Sequence, residues 1–392
     1  MIARDAASAL VDRALSVLRT EFETVSLPDA VGRVLAQDVV ADVDVPPFDK
    51  SAMDGFACRR ADLGAALRVI ETVAAGRLPQ LHVGPGEATR IMTGAAIPSG
   101  ADMVFMVEQA LVEGQTVRFT GKDSASHICL QAEDLRRGDL VLERGRWLET
   151  RDVAVLASMG AWEVQVARRP VVAVLATGDE LVEPWSTPGP GQIRNSNGYQ
   201  IAAQVRRAGA IPLSMGVAMD TQEGLRSAIG AARDKADMLI LSGGVSMGDF
   251  DLVPGVLKEA GVEFLFESVA IKPGKPTSMG MWDGRPVWCL PGNPVSTFVI
   301  FEMFVRRFLQ RWMGRNTFPE DPVVELAEQY SRKKADRLEW VPVQFGPDGR
   351  ARLVGYHGSA HFFALSSADG LMTIPAGTNV VEKGTRVAVR QI

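Results

Sequence analysis

The segment Val171-Val172-Ala173-Val174-Leu175-Ala176, followed at once by Thr177-Gly178-Asp179-Glu180, decides the fold of this chain. Six consecutive apolar residues, three of them valine, predict a strand that is buried on both faces. Such strands belong to parallel sheets covered by helices, and ligands bind beyond the carboxyl ends of those strands. The segment therefore predicts an α/β domain and places its polar continuation at a candidate site.

Strands and amphipathic helices alternate through residues 170–317, which predicts an α/β layer domain with a mainly parallel sheet. One helix is expected after Asn197, and another at Asp220, where Glu223 three residues later indicates an N-cap and capping box. Asp283-Gly284 lies between two apolar runs and indicates a hairpin. The other predicted elements are strands over Ile211–Val217, Met238–Leu241 and Val262–Ile271, hairpin strands over Thr277–Trp282 and Pro286–Leu290, and helices over Leu252–Glu259 and about 294–313.

The regions on either side have different patterns. Residues 5–20 carry apolar side chains at helical spacing, which predicts an amphipathic helix stopped by Ser26-Leu27-Pro28-Asp29. From 31 to 169, short β-branched runs broken by turns predict a mostly β region. The chain returns to predicted strands after Gly314, and we expect a small closed or sandwich β domain there.

The composition of the 392 residues argues against several classes of protein. Hydrophobic residues make up 46% and charged residues 23%, as in an ordinary globular chain of two to four domains. A net charge of −5 argues against a broad nucleic-acid-binding surface. The three cysteines lack CxxC spacing, and no apolar run is long enough to span a bilayer. A soluble cytoplasmic protein without disulfides is expected.

Polar and glycine-rich loops follow the predicted strands at five places. Each loop alone is also explained as an ordinary turn, but five of them at strand ends favour a ligand site. Glycine-rich turns expose amides that hold phosphate, lysines supply positive charge, and carboxylates bind Mg²⁺. We therefore expect a phosphorylated or nucleotide-bearing substrate and a divalent metal, although GxxxxGK[ST] and GxGxxG are both missing. The loops are Thr177–Glu180, Asp220, Ser242–Asp251, Lys272–Pro276 and Leu290–Pro294.

The β region contributes two more candidates. Pro46–Ala57 places Asp54 beside Gly55 in a segment stiffened by prolines, and Thr93-Gly94 follows a predicted strand. Both patterns are also typical of tight turns with a polar turn former. The residues alone leave a turn and a functional site open at each place.

Six segments together resemble the molybdopterin molybdenumtransferases, the MoeA-type enzymes of molybdenum cofactor synthesis, whose relatives include the C-terminal domain of gephyrin. The resemblance runs nearly from one end of the chain to the other. Its most specific segments are Pro46–Ala57, Gly86–Glu108, Ala176–Leu181, Ser242–Asp251, Ile271–Pro276 and Leu290–Val295.

The resemblance implies a multidomain α/β plus β protein. Residues 1–40 and 140–169 would form an elongated discontinuous domain, and 41–139 an inserted β lobe. Residues 170–317 would form a three-layer α/β domain similar to molybdopterin adenylyltransferases, and 318–392 a C-terminal β-barrel-like domain. Family members are homodimers whose cleft lies between the α/β domain of one subunit and the β lobe of the other. Asp54 and Thr93 would then meet Glu180 and Lys275 across the dimer.

The resemblance also implies an activity. Adenylylated molybdopterin and molybdate would react with Mg²⁺ as cofactor, molybdenum would be inserted, and AMP would leave. Amides near Gly243 and Gly244 would hold phosphates, and transient contacts with the molybdopterin adenylyltransferase and with recipient molybdoenzymes are expected. Catalytic roles are implied for Asp54, Thr93, Glu180, Asp220 and Asp251, of which Glu180, Asp220 and Asp251 would bind the metal. Substrate binding is implied for Asp134, Thr177, Gly178, Asp179, Ser242, Gly243, Gly244, Ser246, Lys272, Gly274, Lys275, Pro291, Gly292, Asn293, Pro294 and Ser359.

Three positions depart from the family pattern. Cys129 and Pro342 stand where arginines are usual, and Ala132 replaces a glycine. An altered anion site, a paralogue with changed activity, and arginines that served the dimer all fit these departures. A pterin-binding scaffold and a metal-dependent pyrophosphohydrolase are the alternatives to the transferase, and the retained acids and lysines favour an active enzyme.

Overall fold

The computed structural model describes residues 1–122, 125–244 and 252–392. These residues form two compact units. The first contains Met1–Ala36, Gly145–Glu149 and Val164–Ile392, and the second contains Gln37–Arg144 and Thr150–Glu163. Among the described residues, no helix is both long enough and apolar enough to cross a bilayer. The division into four domains stays a prediction.

A six-stranded sheet forms the centre of the α/β domain. Its first three neighbouring pairs are parallel and its last two are antiparallel, so the prediction of a mainly parallel sheet is confirmed. The Val171–Thr177 strand lies inside the sheet and is buried almost throughout, as its apolar run predicts. The spatial order is Ile211–Ala218, Val171–Thr177, Met238–Ser242, Arg285–Leu290, Ser278–Trp282 and Glu263–Phe266.

Helices cover both faces of this sheet and give the expected three layers. One core joins the sheet to helices through residues such as Ile201, Trp288 and Phe308, and the other through Leu225 and Leu257. The last helix contains a π-helical segment, Phe301–Val305. The helices of the first unit are Arg4–Ser16, Asn197–Arg207, Gln222–Arg233, Val253–Glu259, the run Pro294–Ile300, Phe301–Val305 and Arg306–Trp312, and the short Phe363–Ser366, with a 3₁₀ turn at Leu27–Asp29.

The helix predicted to begin at Asp220 is capped one residue later. Thr221 is the N-cap, and its hydroxyl accepts a hydrogen bond from the Gly224 amide at 3.1 Å. The capping-box prediction is therefore wrong, because Glu223 stands two residues after the true cap instead of three. The Asp220 amide instead donates to the Asp179 carboxylate at 3.0 Å.

The predicted strand over Val262–Ile271 is two separate strands. Glu263–Phe266 is antiparallel at the edge of the α/β sheet, whereas Ile271–Lys272 pairs in parallel with Leu338 and Glu339 of the C-terminal domain. Between them, the chain exchanges backbone hydrogen bonds with Ile2. The sequence hides this change of sheet because the apolar residues on both sides of Glu267-Ser268 suit a strand.

The C-terminal domain is an antiparallel β domain around one core, which includes Val341, Met372 and Val389. Its main sheet runs in the order Ile271–Lys272, Leu338–Phe345, Gly370–Ile374, Arg386–Gln391 and Val323–Glu325, with Ala351–Leu353 beside Leu338–Phe345. Tyr330–Ser331 and Val380–Val381 form a separate pair. The β character expected after Gly314 is confirmed.

The N-terminal helix is shorter than the apolar pattern indicates. It ends at Ser16, and the chain forms the strand Phe22–Ser26 before it reaches the predicted stop. That strand pairs with Glu163–Ala167, far along the chain. Residues 17–20, predicted as the last turn of the helix, lie outside it, and no local pattern reveals the long-range pairing of the strand that follows them.

The second unit is mostly β, as expected. Its sheet runs in the order Met103–Met106, Gly55–Cys58, Glu87–Ile91, Ala66–Val73, Thr116–Phe119 and Ala110–Glu113. Two short pairs join Val39–Val40 to Leu140–Leu142 and Lys50–Ser51 to Ile128–Cys129, and 3₁₀ turns lie at Arg60–Asp62 and Val107–Gln109. The helix Thr150–Ser158 was not predicted, because its valines and leucine also suit a strand; Asp152 and Leu156 form its buried face.

Candidate functional site

A cavity of about 1560 Å³ lies in the first unit, at the carboxyl edge of the α/β sheet. Both the α/β domain and the C-terminal domain line it. It therefore brings most of the predicted strand-end loops together. The α/β domain contributes Thr177, Glu180, Asn195, Ser196, Asn197, Ser242, Gly243, Gly244, Lys272, Gly274, Lys275, Pro291, Gly292, Asn293 and Pro294, and the C-terminal domain contributes Tyr330, Arg337, Glu339, Tyr356, His357, Ser359 and Phe362.

Gly243 allows two strand ends to approach closely. A Cβ atom on Gly243 would lie 2.3 Å from the Thr177 carbonyl oxygen, and the residue has a φ of +98°. Its amide donates to the Leu290 carbonyl at 3.3 Å, so this amide is already used within the sheet. The expectation that amides near Gly243 and Gly244 hold phosphates stays a prediction. The Thr177 hydroxyl beside it is buried and lacks a partner among the described residues.

The loop that contains Pro291 and Gly292 is held by a network of side chains. The side-chain amide of Asn197 donates to the Gly292 carbonyl at 2.7 Å and to the Ser242 hydroxyl at 2.8 Å. The Ser242 hydroxyl in turn contacts the Pro291 carbonyl at 3.3 Å. Ser242 thus positions this loop, and Asn197 at the start of its helix fixes the loop to the cavity wall.

The next residues of that loop connect it to the C-terminal domain. The side-chain amide of Asn293 donates to the Ser359 hydroxyl at 2.8 Å. The backbone amide of Val295 donates to the Ser359 carbonyl at 3.0 Å. A helix begins at Pro294, and the helix that begins at Asn197 also borders the cavity. Two helix N-termini, each with a partial positive charge, therefore face the same space.

The two lysines predicted to bind anions have different environments. The Lys272 ammonium pairs with Glu339 at 2.7 Å, and the other carboxylate oxygen of Glu339 pairs with Arg332 at 2.9 Å. Lys275 is exposed, and no side chain in the described part of the protein pairs with it. Lys275 is therefore the lysine with its charge available to a ligand.

An aromatic wall faces the cavity from the C-terminal domain. Burial, with a smaller contribution from Glu339, raises the pKa of Tyr356 to about 12, so its hydroxyl stays protonated. The His357 ring stacks on His361 at 4.9 Å, and the Phe362 ring stacks on Phe363 at 4.4 Å. Stacked rings of this kind suit a planar heteroaromatic ligand.

The predicted acids lie in two neighbouring loops. Glu180 is exposed and lines the cavity. The hydrogen bond from the Asp220 amide to Asp179 joins the loops that carry Glu180 and Asp220. Asp251 and Ser246 lie outside the described residues. In the described part of the chain no group of three His, Cys, Asp or Glu side chains is placed to hold a metal ion.

The second unit holds Asp54 and Thr93 together. One Asp54 carboxylate oxygen accepts from the Thr93 amide at 2.6 Å and from its hydroxyl at 2.7 Å. These bonds, the backbone one first, hold the pKa of the exposed Asp54 carboxyl below its usual value. Asp134 lies in the same unit, where its amide donates to the Val45 carbonyl. The Asp54 turn is thus a real turn with an ionised carboxylate at its surface.

Comparison with known proteins covers almost the whole chain. Residues 2–160 match the MoeA N-terminal region (domain I and II), 173–311 a probable molybdopterin binding domain, and 324–392 the MoeA C-terminal region (domain IV). Molybdopterin molybdenumtransferase of Bacillus subtilis (strain 168) is 36% identical over 385 residues, which cover 94% of this chain and 89% of that protein. The chain belongs to the molybdopterin molybdenumtransferase family. Membership makes it an enzyme of molybdenum cofactor biosynthesis.

Other family members give the same result. The molybdopterin molybdenumtransferase of Staphylococcus epidermidis (strain RP62A) is 36% identical over 93% of this chain and 90% of its own length. A crystal structure of the molybdopterin biosynthesis moeA protein from Pyrococcus horikoshii OT3 has a TM-score of 0.86 at 28% identity and covers both chains fully. A second P. horikoshii structure has a TM-score of 0.77 at 31% identity over 97% of this chain and 98% of that one.

The three departures from the molybdenumtransferase pattern have different structural settings. Ala132 has a φ of +58°, a left-handed conformation that favours glycine. Cys129 is half-buried in a short strand opposite Lys50, and burial followed by Glu133 raises the pKa of its thiol. Pro342 is buried in a strand on the face opposite Val341, which lines the cavity. Residue 342 therefore does not change the lining of this cavity.

Sequence reasoning missed much of the C-terminal wall. Arg337, Glu339 and Tyr356 line the cavity but stand singly in short strands and loops, where no motif marks them. His357, which stacks on His361, is also on the wall. The only available signal was the density of aromatic residues between 356 and 363.

Proposed function

We propose that this molybdenumtransferase acts on adenylylated molybdopterin, takes molybdenum from molybdate, and releases AMP. The observation that carries the proposal is the combination, within one cavity, of an anion-binding edge and an aromatic wall. The volume of about 1560 Å³ exceeds that of pockets for drug-sized ligands, typically about 300–1,000 Å³. A substrate with two ring systems joined by a pyrophosphate fits a cavity of this size and composition.

The phosphate groups would bind at the sheet edge. Lys275 supplies a charge that no described side chain neutralises, and the helices that begin at Asn197 and Pro294 supply partial positive charge. Charge placed in this way stabilises the negative charge that develops as a pyrophosphate link breaks. The Thr177 hydroxyl, buried without a described partner, is available to donate a hydrogen bond to a phosphate oxygen.

The loops of Glu180 and Asp220 are suited to hold Mg²⁺. Both side chains are hard oxygen donors, and Mg²⁺ commonly binds through one or two carboxylates together with substrate phosphates. The hydrogen bond between Asp179 and Asp220 keeps the two loops together. A bound ion would offset phosphate charge.

Asp54 would act as an ionised carboxylate. Its two hydrogen bonds from Thr93 fix one oxygen and favour the charged form, while the carboxyl itself is exposed. A fixed carboxylate orients a water molecule or a hydroxyl group of an oxyanion by accepting its hydrogen bond. We propose this positioning role for Asp54.

The test measures AMP release and molybdenum incorporation with adenylylated molybdopterin, Mg²⁺ and increasing molybdate. We expect molybdate-stimulated release that Glu180→Gln and Lys275→Ala each lower by at least about tenfold. Glu223→Gln, a change at an exposed acid in the first turn of a helix, is the matched control and should keep full activity. Release independent of molybdate would favour a pyrophosphohydrolase, and binding without turnover a pterin-binding paralogue.

We also propose a homodimer with an active site shared between subunits. Two inactive variants, Asp54→Asn and Glu180→Gln, would be mixed under conditions that exchange subunits. A shared site predicts recovery of about a quarter of wild-type activity, because half of the dimers are mixed and each has one intact site. No recovery despite verified exchange would show that each site is built within one chain.

A further inference from the structure

A second cavity, of about 180 Å³, lies in the first unit and has no role in the proposed reaction. It is bounded by the Arg306–Trp312 helix, residues 318–322 and the end of the last strand. Four arginines line it: Arg207, Arg306, Arg307 and Arg390. We propose that this arginine pocket binds one tetrahedral oxyanion, phosphate or molybdate.

Two of the four arginines build the walls. Arg306 pairs with the buried Glu302 at 2.6 Å, and Arg390 pairs with both carboxylate oxygens of Asp321 at 3.2 and 3.3 Å. Arg390 also donates to the Glu302 carbonyl at 3.0 Å, within the π-helical segment. These bonds connect the helix, the last strand and the 318–322 segment. The pocket is therefore held in shape before any ligand binds.

The other two arginines are available to a ligand. No carboxylate in the described part of the chain lies within ion-pair distance of the Arg207 or Arg307 guanidinium. Arg307 lies over the Phe318 ring at 5.4 Å, which orients it without neutralising its charge. Burial, and then the charge of Arg390, lower the pKa of Arg307. A bound anion would relieve both effects, since it supplies the missing negative charge.

Gln310 gives the pocket a neutral polar group. Its side chain is 3% exposed, lines the pocket, and has an amide oxygen without a partner among the described residues. A glutamine amide turns easily, because its oxygen and nitrogen occupy equivalent positions, and it can present its N–H groups to an anion. The unpaired atom is an acceptor, so an oxyanion pairs with this amide after the amide has turned its N–H groups toward the pocket.

The size and charge of the pocket select the ligand class. About 180 Å³ accommodates a single oxyanion but does not enclose a nucleotide. Glu302, Glu320 and Asp321 also line the pocket, so four arginines against three carboxylates leave one positive charge that attracts an anion. Guanidinium groups bind the paired oxygens of tetrahedral oxyanions through two N–H groups at once. Phosphate and molybdate share this chemistry, and binding experiments distinguish them.

The test is calorimetric titration of the full chain with inorganic phosphate, with molybdate and with chloride at constant ionic strength, without pterin. We expect phosphate or molybdate to bind at a site that Arg307→Gln and Arg207→Gln each weaken at least tenfold. Arg311→Gln, on the same helix but paired with Asp12 outside the pocket, is the matched control and should bind like wild type. Lys275→Ala should keep this site, which separates it from the large cavity.

Each outcome decides the proposal. Tighter binding of phosphate identifies a phosphate site, and tighter binding of molybdate identifies a store for the second substrate; either result supports the pocket. Equal affinity of wild type, Arg307→Gln and Arg207→Gln would overturn it, as would loss of binding in Lys275→Ala. Thermal unfolding of each variant confirms that it is folded, and Arg307→Lys, which keeps the charge without the two-pronged geometry, should bind at intermediate strength.

Discussion

The two units of this molybdenumtransferase present their candidate groups in contrasting ways. In the first unit, groups from many parts of the chain meet at a sheet edge, and buried contacts such as those of Glu339 and Gly243 hold them. In the second unit, Asp54 and Thr93 form a small exposed turn with two hydrogen bonds. A change at Glu339 or Gly243 should therefore reduce stability, whereas a change at Asp54 or Thr93 should alter chemistry at nearly constant stability.

The largest effect is expected at Glu339, whose side chain is 3% exposed and bonded to Lys272 and Arg332. Glu339→Gln leaves the buried Arg332 without a charged partner, which costs about 3–5 kcal/mol of the free energy of unfolding. Urea denaturation of wild type and variant measures this loss in the free energy of unfolding. Glu325→Gln is the control, because its pair with Arg350 is half exposed and should cost less than about 1 kcal/mol. Equal costs for the two variants would contradict the contrast between buried and exposed sites.

The next effect is expected at Gly243. Gly243→Ala brings a Cβ atom to 2.3 Å from the Thr177 carbonyl at a φ of +98°, so the strand ends must separate. We expect a loss of at least about 2 kcal/mol in unfolding free energy and a matching loss of the AMP release proposed for this enzyme. Gly230→Ala is the control: it lies in a helix with no atom within 4 Å of the added Cβ and should stabilise slightly. A Gly243→Ala protein as stable as wild type would show that the strand ends adapt.

A smaller effect of opposite sign is expected at Ala132 in the second unit. Its φ of +58° is strained for alanine, so Ala132→Gly should raise the melting temperature by an amount equivalent to about 0.5–1 kcal/mol. Ala228→Gly, within a helix, is the matched control and should lower stability by about 1 kcal/mol. If both changes destabilise equally, the left-handed conformation at 132 carries no strain.

The smallest effect on stability is expected at Thr93. Thr93→Val removes the hydroxyl donor but keeps the amide, so the pKa of Asp54 should move back towards the ordinary value of 3.8. Because that pKa is lowered in the folded protein, the contribution of Asp54 to stability is present above 3.8 and is lost as pH falls through the lowered value.

A carbon-13 NMR titration of the Asp54 carboxyl measures this shift directly. Thr93→Ser, which keeps the hydroxyl, should titrate and unfold like wild type, whereas Thr93→Val should lose at pH 7 the small part of the stability that the hydroxyl bond to Asp54 supplies. If Thr93→Val leaves the pKa of Asp54 where it was, the backbone amide alone sets it, and the proposed role of the Thr93 hydroxyl is wrong.

Local patterns predicted the sheet edge because each strand is a continuous apolar run followed by a polar loop. Val171–Thr177, Met238–Ser242 and Arg285–Leu290 all lie within a residue or two of their predicted bounds. Because neighbouring parallel strands have their carboxyl ends at the same edge of the sheet, the loops that follow these strands lie close together. This part of the fold and of the site could be predicted from the residues, and the resemblance to the family added the domain types.

The C-terminal wall could not be predicted in the same way. Glu339 lines the cavity because Ile271–Lys272 pairs with its strand across almost seventy residues of sequence. No periodicity records a partner at that distance. Similarly, the choice of Thr221 over Asp220 as N-cap depends on which residue is extended, a one-residue difference that side-chain preferences do not resolve.

The short Ile271–Lys272 strand has a consequence for how the protein is made. It covers the edge of the Leu338–Phe345 strand with residues that the ribosome delivers earlier, as part of the α/β domain. A C-terminal domain produced alone would expose that edge, and exposed edges of hydrophobic strands pair with other chains and aggregate. Successful expression of the β domain in isolation thus requires a fused copy of this two-residue strand and its flanks.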